Sequence, residues 1–220
     1  MSLSVLLVVL APSISAPVRA QGVRTATPTP RGVILFEDDF ATYSGRWVES
    51  ETPKASVAYR DAALVMLVAS PGVYSWSVPD FGAPLHGYRV EVTADVRGGS
   101  ADSLVGLVLN YQDDDHFCAV LTTTRGEWVL LRREGKVFED LTPPDAAPLD
   151  LTPDNGSLRL RADVVGAEVS LWINDQLVGS APVTDGLSGE NIGLIARAGR
   201  GYVDVSFDDF VVAAMVREAP

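Results

Sequence analysis

Phe36-Glu37-Asp38-Asp39-Phe40 near the start and Phe207-Asp208-Asp209-Phe210 near the end are matching segments, and the chain between them consists almost wholly of alternating strands. First and last strands of one pattern are expected to pair and close a single sandwich, so these stretches predict one all-β domain rather than two small ones. At 220 residues the chain is long enough to bury a sizeable core, and all-β sandwiches commonly reach this length as one unit. Phe207 and Phe210 are three positions apart. With a side-chain period of two they share a face only if an extra residue is inserted, so a bulge is expected at Asp208-Asp209.

Outward from these ends the periodicity stays at two, and no window carries an amphipathic-helix pattern. Arg89-Val90-Glu91-Val92-Thr93-Ala94 and Leu158-Arg159-Leu160-Arg161-Ala162 each set one apolar row inward and one polar row to solvent. Leu104-Val105-Gly106-Leu107-Val108-Leu109 and Trp128-Val129-Leu130-Leu131 are apolar on both faces, as for central strands whose outer face is covered or forms a groove. Turn signals at Asp113-Asp114-Asp115, Arg125-Gly126-Glu127, Glu134-Gly135-Lys136, Val165-Gly166-Ala167 and Asn174-Asp175-Gln176 predict consecutive hairpins. Pro143-Pro144 and Pro148 mark a longer connection, suited to crossing between sheets or running along an edge.

A net charge of -12 with no basic stripe excludes a nucleic-acid role. The apolar run Leu6-Leu7-Val8-Val9-Leu10 is too short to span a bilayer and is followed by Val18-Arg19-Ala20, so residues 1–20 read as a secretory signal, with a mis-assigned start codon or an uncleaved membrane anchor as the alternatives. Residues 21–32 are a Thr/Pro-rich linker, 33–214 the sandwich domain and 215–220 a tail. The expected location is outside the cell or in its envelope, with no membrane insertion of the mature domain. Cys118 is the single cysteine and lies in an apolar strand, where a small buried hydrophobe is expected rather than a nucleophile.

Asp38-Asp39-Phe40 followed by Gly45-Arg46-Trp47, then Asp115-His116-Phe117, Gly126-Glu127-Trp128, Leu171-Trp172-Ile173-Asn174 and the closing Phe207-Asp208-Asp209-Phe210 resemble, in order and spacing, the concanavalin A-like lectin/glucanase superfamily, particularly its laminin G-like and keto-disaccharide-hydrolase-like members. The resemblance covers about residues 33–213. It implies a jelly roll of two antiparallel sheets and a glycan-facing role, in a fold that hosts many functions. The Glu-x-Asp-x-x-Glu motif of the superfamily's retaining glucanases is absent; Glu91 and Asp95 share a strand face without a third carboxylate in step.

Sugar recognition needs aromatic faces and planar polar groups. The candidate ligand residues are Trp128, Trp172, Tyr111, His116 and Arg132, with Trp172 pointing away from the face shared by Leu171 and Ile173; Trp76 is a further available aromatic. Trp47 and Tyr43 are assigned to packing. Asp113-Asp114-Asp115-His116 reads as a solvated hairpin tip or a rim loop, lacking the alternating ligands of a calcium loop. Asp39 and Asp208 are the candidate metal ligands, because pairing of the end strands brings like charges together where calcium would compensate them. The expectation is an exported, non-catalytic module binding carbohydrate or another extracellular ligand; the alternatives are a sugar-active hydrolase or lyase and a purely structural or adhesion domain.

Overall fold

The structure is a computed structural model that describes residues 32–80, 87–149, 157–183 and 189–215. The expected signal and nearly all of the linker lie outside the described residues. Among the described residues there are fifteen strands: β1 (Ile34–Asp38), β2 (Ser50–Glu51), β3 (Ala55–Arg60), β4 (Ala63–Val68), β5 (Tyr74–Ser77), β6 (Gly87–Gly99), β7 (Leu104–Asp113), β8 (His116–Thr122), β9 (Trp128–Glu134), β10 (Val137–Asp140), β11 (Ser157–Val165), β12 (Glu168–Ile173), β13 (Gln176–Pro182), β14 (Asn191–Arg197) and β15 (Val203–Ala214). There is no helix among the described residues.

All pairings are antiparallel. The larger sheet runs β13-β12-β11-β6-β15-β4-β3-β2 with β1 also on β15, and the smaller runs β10-β9-β8-β7-β14-β5. The hairpins predicted from turn chemistry as one consecutive run divide into two meanders, β7 to β10 and β11 to β13, that fall in different sheets, so of the two uses open to the connection with Pro143-Pro144 the change of sheet is the one observed. Asn174 and Asp175 both take positive φ, 49° and 63°. Type I′ turns demand this at both central positions, and it pins Ile173 opposite Gln176.

The expected pairing of the chain ends is observed. Asp38 lies opposite Phe210 and Phe36 opposite Val212. β4 covers the same edge of β15 from Val203 to Phe207, and β1 takes over at Phe210. Between the two partners lies a register shift against β6, with Asp209 at φ 52°. The inserted residue turns both Phe207 and Phe210 inward, each fully buried. Phe210 packs edge-on against Phe36 and Trp47, with ring centroids 5.9 and 4.9 Å apart.

Between the sheets, Val90, Val92, Leu158, Leu160, Val205 and Phe207 meet Val105, Leu107, Cys118, Val120, Leu130 and Leu194. A separate apolar cluster lies on the outer face of the smaller sheet, built on Val108, Phe117, Ala119, Leu121, Leu131 and Ile195. That face is concave. Tyr74 on β5 and Phe138 on β10 belong to opposite edges of this six-stranded sheet, yet their rings stack 4.2 Å apart. In a flat sheet those edges stand about 24 Å apart, at about 4.8 Å per strand. Glycine makes the bend possible: a Cβ at Gly106 would collide with the Val120 carbonyl oxygen, and one at Gly193 with that of Ser77.

The curl is therefore expected to be intolerant of a methyl group at its centre. Gly106→Ala should lower stability by at least about 1–3 kcal/mol, measured by urea unfolding; an unchanged midpoint would show that the strands separate there without cost.

Candidate functional site

The concave face gathers polar and aromatic groups at one end. β5 alternates against the usual rule: Ser75 and Ser77 are buried, with Ser77 Oγ donating to the Val48 carbonyl at 2.9 Å, while Tyr74 and Trp76 are half-buried on the concave side. The tip of the β7–β8 hairpin reaches this face, and Asp114 Oδ1 accepts from Trp76 Nε1 and from Tyr111 Oη, both at 2.9 Å. Burial and the neighbouring Asp114 and Asp113 carboxylates raise the Tyr111 phenol above its usual range, so it stays a donor.

Arg133, from β9, lies over the same face. Its Nε donates to the Asp114 carbonyl oxygen at 2.6 Å, and its guanidinium sits 5.0 Å from the ring centres of both Trp76 and Phe138. Phe117 is the floor beneath them, 2% exposed. Beside Trp76 a cavity of about 300 Å³ opens, lined by Trp76, Asp80, Tyr111, Asp114 and Asn191. Asn191 Oδ1 is buried without a hydrogen-bond partner.

The structure separates the sequence-predicted ligand residues. Tyr111 lies at this cavity, and His116 stands exposed on the same hairpin with Nδ1 2.7 Å from Asp113 Oδ1, which raises the imidazole pKa. Trp128 points the other way, into the core between the sheets, 6% exposed and packed so closely on Gly179 that a side chain there would strike the indole. Arg132 shares that inward parity, at the sheet edge, and pairs with Glu139 at 2.6 Å. Trp172 does point away from Leu171 and Ile173, onto the outer face of the larger sheet, but the Arg161 guanidinium covers its ring at 4.0 Å. The indoles of Trp76, Trp128 and Trp172 thus lie in three different layers, the concave face, the inter-sheet core and the outer face of the larger sheet, and of the three Trp76 alone adjoins the cavity beside Tyr111. Arg133 was missed. The signal was its parity, one step out of phase with Trp128, Leu130 and Arg132.

The end-pair carboxylates form an acidic corner beside a second cavity of about 650 Å³, lined by Glu37, Asp38, Asp39 and Asp209 and also by Arg46. Asp38 is fully engaged: it accepts from Phe40 N, Ser44 Oγ and Trp47 Nε1 at 2.8, 2.8 and 3.1 Å. It therefore anchors the Gly45-Arg46-Trp47 corner. Asp39 accepts from Ala41 N, and Asp208 from Asp209 N. No group of three or more carboxylate, imidazole or thiol side chains converges among the described residues. Burial raises the Asp208 carboxyl pKa, the Asp209 N–H opposes it, and the Asp209 and Asp39 charges add to the rise.

No protein-family model matches the chain, and no curated protein matches it in sequence. Its structure is similar to that of carbohydrate-binding module CBM66 from Bacillus subtilis, with a TM-score of 0.59 and 14% identity over 76% of this chain and 95% of that one. A Bacillus subtilis protein with a galectin-like fold is similar at a TM-score of 0.56 and 14% identity, over 86% and 99%. Xylan β-1,4-xylosidase from Bacillus halodurans C-125 is similar at 0.57 and 17%, over 80% of this chain and 38% of the enzyme. The likeness is one of fold, consistent with the concanavalin A-like jelly roll.

A carboxyl whose pKa is raised by folding favours the native state below its unfolded value, and that contribution is lost as pH rises through the folded value. In chelator, Asp208→Asn should therefore raise the melting temperature at pH 7, and the difference should vanish below about pH 4. Calcium between Asp39 and Asp208 would instead raise the wild-type melting temperature and leave D208N unmoved; equal wild-type values in calcium and chelator would remove calcium from this corner.

Proposed function

We propose that the domain is an exported, non-catalytic carbohydrate-binding module whose ligand enters the cavity beside Trp76. The observation that carries this reading is the Asp114 carboxylate, which fixes Trp76 and Tyr111 through one oxygen at the mouth of a cavity of about 300 Å³. A sugar ring needs an apolar face and nearby planar acceptors. The indole offers the first, and Asp80 and Asn191 offer the second. Rings held before the ligand arrives lose little freedom on binding.

The solved structures support the sugar as ligand: one is itself called a carbohydrate-binding module, and this chain covers 95% of it. A keto-disaccharide-hydrolase-like activity is the second reading, favoured by two carboxylates, Asp80 and Asp114, at one cavity. Asp114 weighs against it, since an oxygen accepting from both an indole and a phenol is placed as an acceptor and not as the proton donor that glycoside cleavage requires.

Affinity electrophoresis in gels containing xylan, β-1,3-glucan, arabinan or levan tests the reading. Wild-type protein should be retarded by at least one of them. Trp76→Ala and Asp114→Asn should weaken retention at least tenfold, about 1.4 kcal/mol, with melting still cooperative, while Trp172→Ala binds as wild type. Retention unaffected by W76A would overturn the site, and release of new reducing ends would shift the reading to the hydrolase.

A further inference from the structure

We infer that the Tyr74–Phe138 ring pair bars the concave face, so that the domain reads the ends of saccharide chains and not their interiors; the inference rests on the carbohydrate reading above. A long chain bound along the curled face of a sheet needs a trough open at both ends, parallel to the strands that line it. Here the two edges of the sheet meet through stacked rings 4.2 Å apart. Beneath them the trough is filled by the protein itself: Trp76 lies 5.3 Å from Phe117, and Phe138 lies 6.0 Å from the same ring.

The filling is held from several directions, so a ligand does not displace it cheaply. Arg133 is wedged between the Trp76 and Phe138 rings, and it is tied to the Asp114 carbonyl oxygen and, at 3.4 Å, to the Asp115 carboxylate. Its side chain is 14% exposed. What stays open is the cavity on the far side of Trp76, at about 300 Å³. That lies at the lower end of the range of about 300–1,000 Å³ for small-molecule sites, and suits a terminal sugar unit. A chain entering it runs up against the aromatic layer, so every further unit must lead back out to solvent.

The test uses the full chain and length-fractionated preparations of whichever of xylan, β-1,3-glucan, arabinan or levan retards the wild type, with isothermal titration giving the number of protein molecules bound per saccharide chain. The expected wild-type result is a number equal to the number of binding ends and independent of chain length, with affinity constant beyond the disaccharide. Phe138→Ala and, from the opposite edge, Tyr74→Ala leave Trp76, Tyr111 and Asp114 in place. Each alone leaves the other ring and Arg133 over Phe117. The double variant Tyr74→Ala/Phe138→Ala removes both rings of the bar and one side of the Arg133 clamp, and should make the number rise with chain length while disaccharide affinity stays within about twofold, less than the tenfold that corresponds to about 1.4 kcal/mol.

A wild-type number that already grows with length overturns the inference and leaves the carbohydrate reading standing. So does a number that stays constant in the double variant. Failure of the wild type to bind any of the four polymers overturns the carbohydrate reading, and the inference with it.

Discussion

Everything in this domain hangs on the pairing of β15, which touches three strands by changing partner half-way. β6 runs along one side of it; β4 holds the other side up to Phe207 and β1 holds it from Phe210. The bulge at Asp208-Asp209 is where the exchange occurs. Without that inserted residue Phe210 would point outward, and the Phe36–Trp47–Phe210 cluster would lose its centre. Each such edge-to-face ring contact contributes about 0.5–1.5 kcal/mol beyond burial. The cluster thus makes joining the chain's ends a matter of core packing as well as of backbone hydrogen bonds. Asp38 then fastens the corner after β1 by accepting from three donors that the same turn brings round.

The second sheet is shaped by an opposite device, the absence of side chains. Gly106 and Gly193 lie on the neighbouring strands β7 and β14, where the backbone of the strand on the far side, β8 for Gly106 and β5 for Gly193, leaves no room for a methyl group. The resulting curl turns an outer face into a trough, and large residues on the edge strands fill it. Trp76 and Tyr111 form its wall, Arg133 its wedge and Asp114 the peg that keeps the wall upright. Burial elsewhere follows ordinary lines: the outer face of the larger sheet is polar, and its bidentate Arg89–Asp163 pair at 2.7 and 3.0 Å is shielded from solvent. Breaking such a buried pair by removing one partner costs about 3–5 kcal/mol, which makes it a structural feature of that face.

Much of the fold was legible in the chain, and particular residues explain why. The three-residue spacing of Phe207 and Phe210 demanded a bulge, Asn174-Asp175 demanded a tight hairpin, and Pro143-Pro144 marked a longer connection, though not whether it changes sheet or follows an edge. The site was less legible, for two physical reasons. Trp128-Val129-Leu130-Leu131 is apolar on both faces, so parity did not say which side was the core, and Trp128 with Arg132 was placed on the wrong side of that choice. β5 inverts the common pattern, with serines inward and Tyr74 and Trp76 outward, and its four residues hold no apolar row that would set Trp76 apart from the other available aromatics. The hydrogen bond that identifies Trp76 comes from a residue 38 positions away. Only the curl brings that partner near.

Cys118 sits in the inter-sheet core, 1% exposed, with burial pushing its thiol pKa up to about 11. A thiol in that state is almost wholly protonated at neutral pH and shielded from reagents. Because Cys118 is the single cysteine, any alkylation of the native protein must pass through an opened state in which the two sheets have parted. The chain therefore carries its own clock: the rate at which this one sulfur reacts reports how often the sandwich breathes, with no residue substituted.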